Sequence, residues 1–210
     1  MKISISLILA LCLASAAFAQ SSATWKLDNL TKIGGNAVEV LGAPKVAQKA
    51  IEFDGAADGV LLDANPIEGL SAFTIEAVFR PDGGNKEQRW FHIQQTDADN
   101  RVLLEIRVDG NDWFLDTFIK SGDNRLTHYA EKYRHPLGKW YHVALVFDGK
   151  EMRHYVDANL ELAGQLKIAP FGKGRTSLGV RQNKVHWFKG AIKKVRITDR
   201  ALAPKEFMRK

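Results

Sequence analysis

The stretch "GKWYHVALVFDGKEMRHYVDANLE" (138–161) decides the fold. It holds two runs rich in β-branched and aromatic residues, "WYHVALVF" (140–147) and "MRHYV" (152–156), on either side of Asp148-Gly149. An Asp-Gly pair between such runs is a strong local signal for a β-hairpin. Side chains alternate along a strand, so Tyr141, Val143, Leu145 and Phe147 share one face. Trp140, His142, Ala144 and Val146 share the other, and both faces are largely apolar. That is the pattern of a strand well inside a sandwich. Trp140, His142, Asp148 and His154 are written in the letters of a catalytic cluster. Here they read as framework, with Trp140 expected in the core and Asp148-Gly149 as turn chemistry.

The same grammar runs outward from this hairpin. "FTIEAVF" (73–79) alternates and ends at "RPDGGN"; "WFHIQQT" (90–96) ends at "DADN". "VLLEIRV" (102–108) meets "DGND", then "WFLDTFI" (113–119) stops at "KSGDN". "TSLGV" (176–180) and "AIKKVRIT" (191–198) complete the set, and only "APKEFMR" (203–209) could form a helical turn. Many short strands punctuated by turns, with no long helical period, predict an all-β, two-sheet sandwich or barrel. No internal repeat or low-complexity linker divides the chain.

The first 20 residues, "MKISISLILALCLASAAFAQ", place Lys2 before an apolar run from Ile3 to Leu13, then Ala17-Phe18-Ala19. This is the pattern of a secretory signal cut before Gln20, giving a leader over 1–19 and a mature domain over 20–210. No segment reaches the roughly 18 uninterrupted apolar residues that a membrane span needs. The only cysteine, Cys12, lies in the leader, so the mature chain has no disulfide. A chain of this length buries a sufficient core without one. A secreted or periplasmic location is the expectation.

Charge is uneven along the chain. From Lys167 onward 13 Lys and Arg face only Asp199 and Glu206, whereas residues 20–166 carry 16 basic and 22 acidic side chains. Lys193, Lys194 and Arg196 on the last strand should stay in water or meet an anion, because burying them unpaired is costly. Nucleic acid is not expected, given the leader and the lack of any nucleic-acid motif. The plain reading is a solvated basic edge; the sharper one is an anionic partner, acidic polysaccharide or phospholipid headgroups.

Four pieces in order carry a family resemblance: "AIEFDGAADGVLL" (50–62), "FTIEAVFRP" (73–81), the hairpin at 138–161, and "FKGAIKKVRITDRALAPKEF" (188–207). They resemble the Phe-Asp-Gly strand, the Phe-Thr-Ile strand, the Gly-Lys-Trp hairpin and the terminal strand of laminin-G-like jelly rolls. Those domains belong to the concanavalin A-like lectin/glucanase superfamily. The resemblance implies an antiparallel jelly-roll β-sandwich.

That superfamily holds both enzymes and binding modules, so function must come from the site. Its glucanases carry Glu-x-Asp-x-x-Glu on one strand, but "LEIRVDG" (104–110) has Arg107 at the middle position, where a guanidinium cannot replace a carboxylate. Its lyases use Arg, Gln, His and Tyr. Strand parity offers Glu76 and Arg80, His92 and Gln94, and Glu105 and Arg107 opposite each apolar face, with His128 and Tyr129 nearby. No lyase motif appears in its usual form.

The same inventory suits a lectin-like module without catalysis. If Trp113, Leu115, Thr117 and Ile119 face the core, then Phe114, Asp116 and Phe118 lie on the open face to stack on and hydrogen-bond a sugar. The candidate ligand-binding residues are therefore Arg80, His92, Gln94, Glu105, Arg107, Phe114 and Asp116. Two alternatives stand beside it, a lyase or hydrolase at a concave site and a cell-envelope protein-interaction module. No cofactor is expected; a secondary reading gives the oxygen-rich loop of Asp97, Asp99 and Asn100 to calcium.

Overall fold

The computed structural model describes residues 21–210; the leader over 1–19 lies outside the described residues. In chain order the strands begin with β1 (Ser22–Lys26), β2 (Lys32–Ile33), β3 (Asn36–Ala37), β4 (Glu39–Leu41), β5 (Lys45–Ala47) and β6 (Ala50–Asp54). Next come β7 (Gly59–Leu62), β8 (Phe73–Pro81), β9 (Glu87–Gln95), β10 (Arg101–Asp109), β11 (Asp112–Ser121) and β12 (Asn124–Tyr129). The last are β13 (His135–Pro136), β14 (Tyr141–Phe147), β15 (Glu151–Val156), β16 (Asn159–Gln165), β17 (Gly174–Leu178) and β18 (Lys189–Thr198). The run at 203–209 forms only one 3-10 turn, Pro204–Glu206.

Two 8-stranded antiparallel sheets stack face to face as a jelly-roll sandwich. Sheet I has the order β16-β15-β14-β8-β18-β6-β5, with β1 also on β18. Sheet II has the order β12-β11-β10-β9-β17-β7-β4, with β13 also on β11. The hairpin at 138–161 sits in sheet I, where Val143 pairs with Val156 and Phe147 with Met152.

Alternation fills the space between the sheets. Sheet I contributes Phe73, Ile75, Ala77 and Phe79 from β8 and Tyr141, Val143, Leu145 and Phe147 from β14. Sheet II answers with Val102, Leu104 and Ile106 from β10 and Trp113, Leu115 and Ile119 from β11. The Phe79 ring joins the layers, 4.8 Å from Trp90 and 5.2 Å, edge-on, from Trp113. Offset and edge-on aromatic pairs of this kind add to the free energy of area burial.

Outside sheet I the chain closes over itself. Glu76 on β8 is fully buried and accepts from His142 Nε2 at 3.0 Å, Arg196 Nε at 2.6 Å and the Met208 backbone N–H at 2.7 Å. These bonds hold the segment after β18 across the sheet. Phe207 packs 5.4 Å from the His142 ring and 5.2 Å from Tyr155, over Ala144 and Val146. Arg196 thus meets its anion inside the protein rather than in a ligand. Lys194 donates to the Arg209 carbonyl at 2.7 Å.

Trp140 corrects the sequence reading. It precedes β14, is only half-buried and is not part of the core. Arg80 and Lys193 cover its ring, at 5.4 Å and 4.4 Å from the centroid. Parity places residue 140 on the outer side of the sheet, where cations can reach it.

Arg196→Ala should leave Glu76 short of its counter-ion and cost about 3–5 kcal/mol in urea denaturation. Trp113→Ala, a true core truncation, belongs in the same range of about 3–5 kcal/mol. Trp140→Ala should cost clearly less than Trp113→Ala; equal losses would return Trp140 to the core.

Candidate functional site

The outer face of sheet II is where charged side chains gather. On β10 alternation turns Leu103, Glu105 and Arg107 outward, and on β11 it turns Phe114, Asp116 and Phe118 the same way. Cross-strand pairing sets Glu105 opposite Asp116 and Arg107 opposite Phe114. On β9 the register against β10 shifts between Leu104 and Glu105, so Phe91 pairs with Leu104 and Arg89 with Glu105. Trp90 is the extra residue, and both Trp90 and Phe91 enter the core. A bulge of this kind redirects every residue beyond it. Here it turns Arg89 out of the sandwich and onto Glu105.

The result is a cleft of about 250 Å³. Arg89, Arg101, Arg107 and Arg181 surround it, Glu105 and Asp116 lie at its base, and Leu103 and Phe118 supply apolar surface. Arg107 holds Asp116 through Nε at 2.8 Å and Nη2 at 2.7 Å, and reaches Glu87 through Nη1 at 2.6 Å. Arg89 pairs with Glu105 and donates to Glu87 at 3.0 Å. The two arginines hold the Glu87 carboxyl down at about 2. Burial, reinforced by the nearby Asp116 charge, raises Glu105 to about 7. Asp116 is also raised by burial, against the opposing pull of Arg107.

Arg181 comes from the loop between β17 and β18, which leaves the sheet at Gly179. That residue has φ +80°, and a Cβ there would lie 2.3 Å from the Phe53 ring, so only glycine fits. The loop is tied down by Gln182, whose backbone N–H donates to His92 Nδ1 at 3.1 Å and whose side chain donates to the Arg175 carbonyl at 2.8 Å. Lys184 and His186 both adopt φ 59°, a costly conformation for residues with side chains.

The seven residues proposed from sequence do not all meet. Glu105, Arg107 and Asp116 line the cleft together. Asp116 is 1% exposed with Arg107 as its partner, so Arg107 is committed to the protein. Phe114 faces outward but is 1% exposed, covered by Tyr129 at 4.9 Å and Arg134 at 5.0 Å, and offers no open ring for a sugar. His92 is buried beneath the Arg181 loop, and burial lowers it to about 3. Gln94 donates to the Ala98 carbonyl at 3.2 Å, at the end of β9. Arg80 stands on sheet I, held by Asp82 at 2.7 Å and Glu52 at 3.5 Å. It therefore cannot join the others.

In the oxygen-rich loop, Asp99 pairs with Lys120 at 2.6 Å and with Arg101, while Asn100 accepts from the Gly122 N–H at 2.7 Å. Among the described residues no group of three or more His, Cys, Asp or Glu is placed to hold a metal ion.

His128 faces inward rather than toward the cleft, bonded to the Met152 carbonyl at 2.8 Å. It belongs to a polar seam at the sandwich edge. There His154 Nδ1 meets Thr117 Oγ1 at 2.9 Å, and Glu161 meets His135 at 2.7 Å. Burial lowers the fully buried His154 to about 3.

These shifts fix the acid response. His92 and His154 are depressed from 6.5, so they stabilise the fold above that pH and lose this as pH falls toward 3. Glu105 is raised from 4.5 to about 7, so its contribution is complete below 4.5 and lost as pH rises through 7. Between pH 4.5 and 6.5 the unfolded chain binds more protons than the folded one on His92, His154, His128 and His186, and fewer on Glu105 and Asp116. The lowered histidines outnumber the raised carboxyls, so stability should fall on acidification across this range. His154→Gln should make that dependence shallower in urea titrations, and an unchanged slope would count against the assignment. In the same assay Arg107→Ala should cost about 3–5 kcal/mol, because it leaves Asp116 buried without its partner.

A family model for the concanavalin A-like lectin/glucanases superfamily matches residues 54–207. No curated protein sequence matches the chain significantly. Among solved structures, domain 4 of AbnA, a GH43 extracellular arabinanase from Geobacillus stearothermophilus in complex with arabinotriose, is similar with TM-score 0.67 and 18% identity. That likeness covers 89% of this chain and 96% of the other. The Ruminococcus gnavus IT-sialidase CBM40 bound to alpha2,3 sialyllactose gives TM-score 0.58 at 19% identity, over 75% of this chain and 93% of the other. Trypanosoma rangeli sialidase in complex with sialic acid gives 0.63 at 14%, over 88% of this chain and 31% of the other. At such identities the likeness is one of fold. With most of the chain matched by the family model, this protein belongs to the concanavalin A-like lectin/glucanases superfamily.

Proposed function

We propose that the chain is a secreted or periplasmic carbohydrate-binding module, without catalysis of its own, that takes its ligand on the outer face of sheet II. The observation that carries this is the cleft beside Arg181, where fixed polar groups surround Leu103 and Phe118. Sugar sites combine such apolar patches with a few placed polar groups. The C-terminal segment covers the centre of the outer face of sheet I, over Ala144, Val146 and Tyr155, whereas the cleft on sheet II stays open. Carbohydrate complexes among the structural neighbours support the same reading. The leader at 1–19 and the cysteine-free remainder support the location. Among the described residues no helix is long and apolar enough to cross a membrane.

One observation favours a second reading, glycoside hydrolysis. Glu105 and Asp116 are cross-strand neighbours, and Glu105 is raised to about 7, in the range of a general acid. Against it, Asp116 is locked by Arg107 and neither carboxylate is more than 3% exposed.

A glycan array, run beside reducing-end and unsaturated-product assays, separates the readings. Binding without product is the expected result. Product formation abolished by Glu105→Gln would establish the hydrolase. The location is checked by mass spectrometry of the exported protein, which should begin at Gln20.

A further inference from the structure

Four arginines surround the cleft, and three have partners. Arg89 has Glu105 and Glu87, Arg107 has Asp116 and Glu87, and Arg101 has Asp99. Arg181 has none: among the described residues its guanidinium makes no hydrogen bond or ion pair. It is half-buried and faces the like charges of Arg101 and Arg89. Burial first, then those two cations, pull it below the usual arginine range, against a weaker opposing pull from Glu105 and Asp99. A solvated lysine would avoid both penalties. Gln182 ties down the backbone that carries Arg181, and Lys184 and His186 take strained conformations in the same loop.

From this arrangement we infer that Arg181, with Arg101 and Arg89, forms an anion subsite that receives the acid group of a sugar. A guanidinium fork matches the oxygens of a carboxylate or sulfate ester, and the anion would supply a counter-charge in direct contact, where Glu105 and Asp99 act only at a distance. The cleft of about 250 Å³ lies below the range of about 300–1,000 Å³ usual for larger ligands. It suits a single acidic ring, with the half-buried Phe118, whose ring lies beneath the Arg101 guanidinium at 5.1 Å, as the apolar contact. The identity of the ligand as a sugar rests on the carbohydrate reading above; the anion site does not.

The test uses the mature chain, with Arg181→Ala and Arg181→Gln, in two assays. In thermal unfolding, sodium sulfate is compared with sodium chloride at equal ionic strength. Wild type should gain a larger increment in Tm from sulfate than either variant does; equal increments would overturn the site. In calorimetry, trigalacturonate is compared with its methyl ester. The acid form should bind wild type about tenfold or more tightly, an advantage lost in both variants and partly kept in Arg181→Lys. Equal binding of acid and ester by wild type and variants would overturn the inference while leaving a neutral-sugar module. An Arg181-dependent sulfate effect, with no saccharide bound on the array or in calorimetry, would keep the anion site and sink the carbohydrate reading.

Discussion

Glu76 is a carboxylate with no exposed surface, and such a charge is tolerable only where partners surround it. Its partners come from three different places: His142 on β14, Arg196 on β18 and the Met208 backbone beyond the last strand. One side chain thereby joins the three central strands of sheet I to the C-terminal segment. The segment in turn covers Ala144, Val146 and Tyr155, which would otherwise form an apolar patch on an outer face. The two faces of the molecule differ as a consequence. One is covered at its centre by the chain's own end, and the other holds the cleft of arginines.

The cleft depends on a second constraint, in β9. Strict alternation would send only one of Trp90 and Phe91 into the core; the bulge sends both, and Trp90 reaches the Phe79 ring. Packing gains a large aromatic side chain, and the residue before it changes face. Arg89 arrives on the outside because Trp90 stays inside. The ion pair of Arg89 with Glu105 is thus a product of core packing as well as of electrostatics. This couples the site to the most buried part of the sandwich.

The sandwich was legible because it follows period-2 alternation, which "FTIEAVF", "VLLEIRV" and "WYHVALVF" display without interruption. The same rule puts Glu105, Arg107 and Asp116 on one outer face, where the structure has them. Its failures are physical. Alternation counted back from His92 and Gln94 carries Arg89 to the wrong face, since no residue letter announces the bulge. Parity says which way Phe114 points but not that Tyr129 and Arg134 will cover it. It shows Arg80 as outward-facing without showing that its sheet is the one the chain's end covers. Arg181 has no period to read, because it sits in a loop whose position is set by Gln182 and by the close approach of Gly179 to Phe53.

The ion pairs around the cleft separate what stability requires from what it does not. Arg107 is explained by Asp116, and removing either partner leaves a buried charge alone. Arg89 is explained by Glu87, whose carboxyl it helps hold down at about 2, and by its contact with Glu105. Both arginines therefore have a structural reason to be where they are. Arg181 has no such reason, since its charge is opposed by Arg101 and Arg89 and balanced by no carboxylate in contact. A neutral residue at that position would relieve repulsion at no cost in hydrogen bonds. Locally unfavourable groups held by a well-anchored frame are where proteins depart from their own stability optimum, and the departure falls where a ligand completes the site.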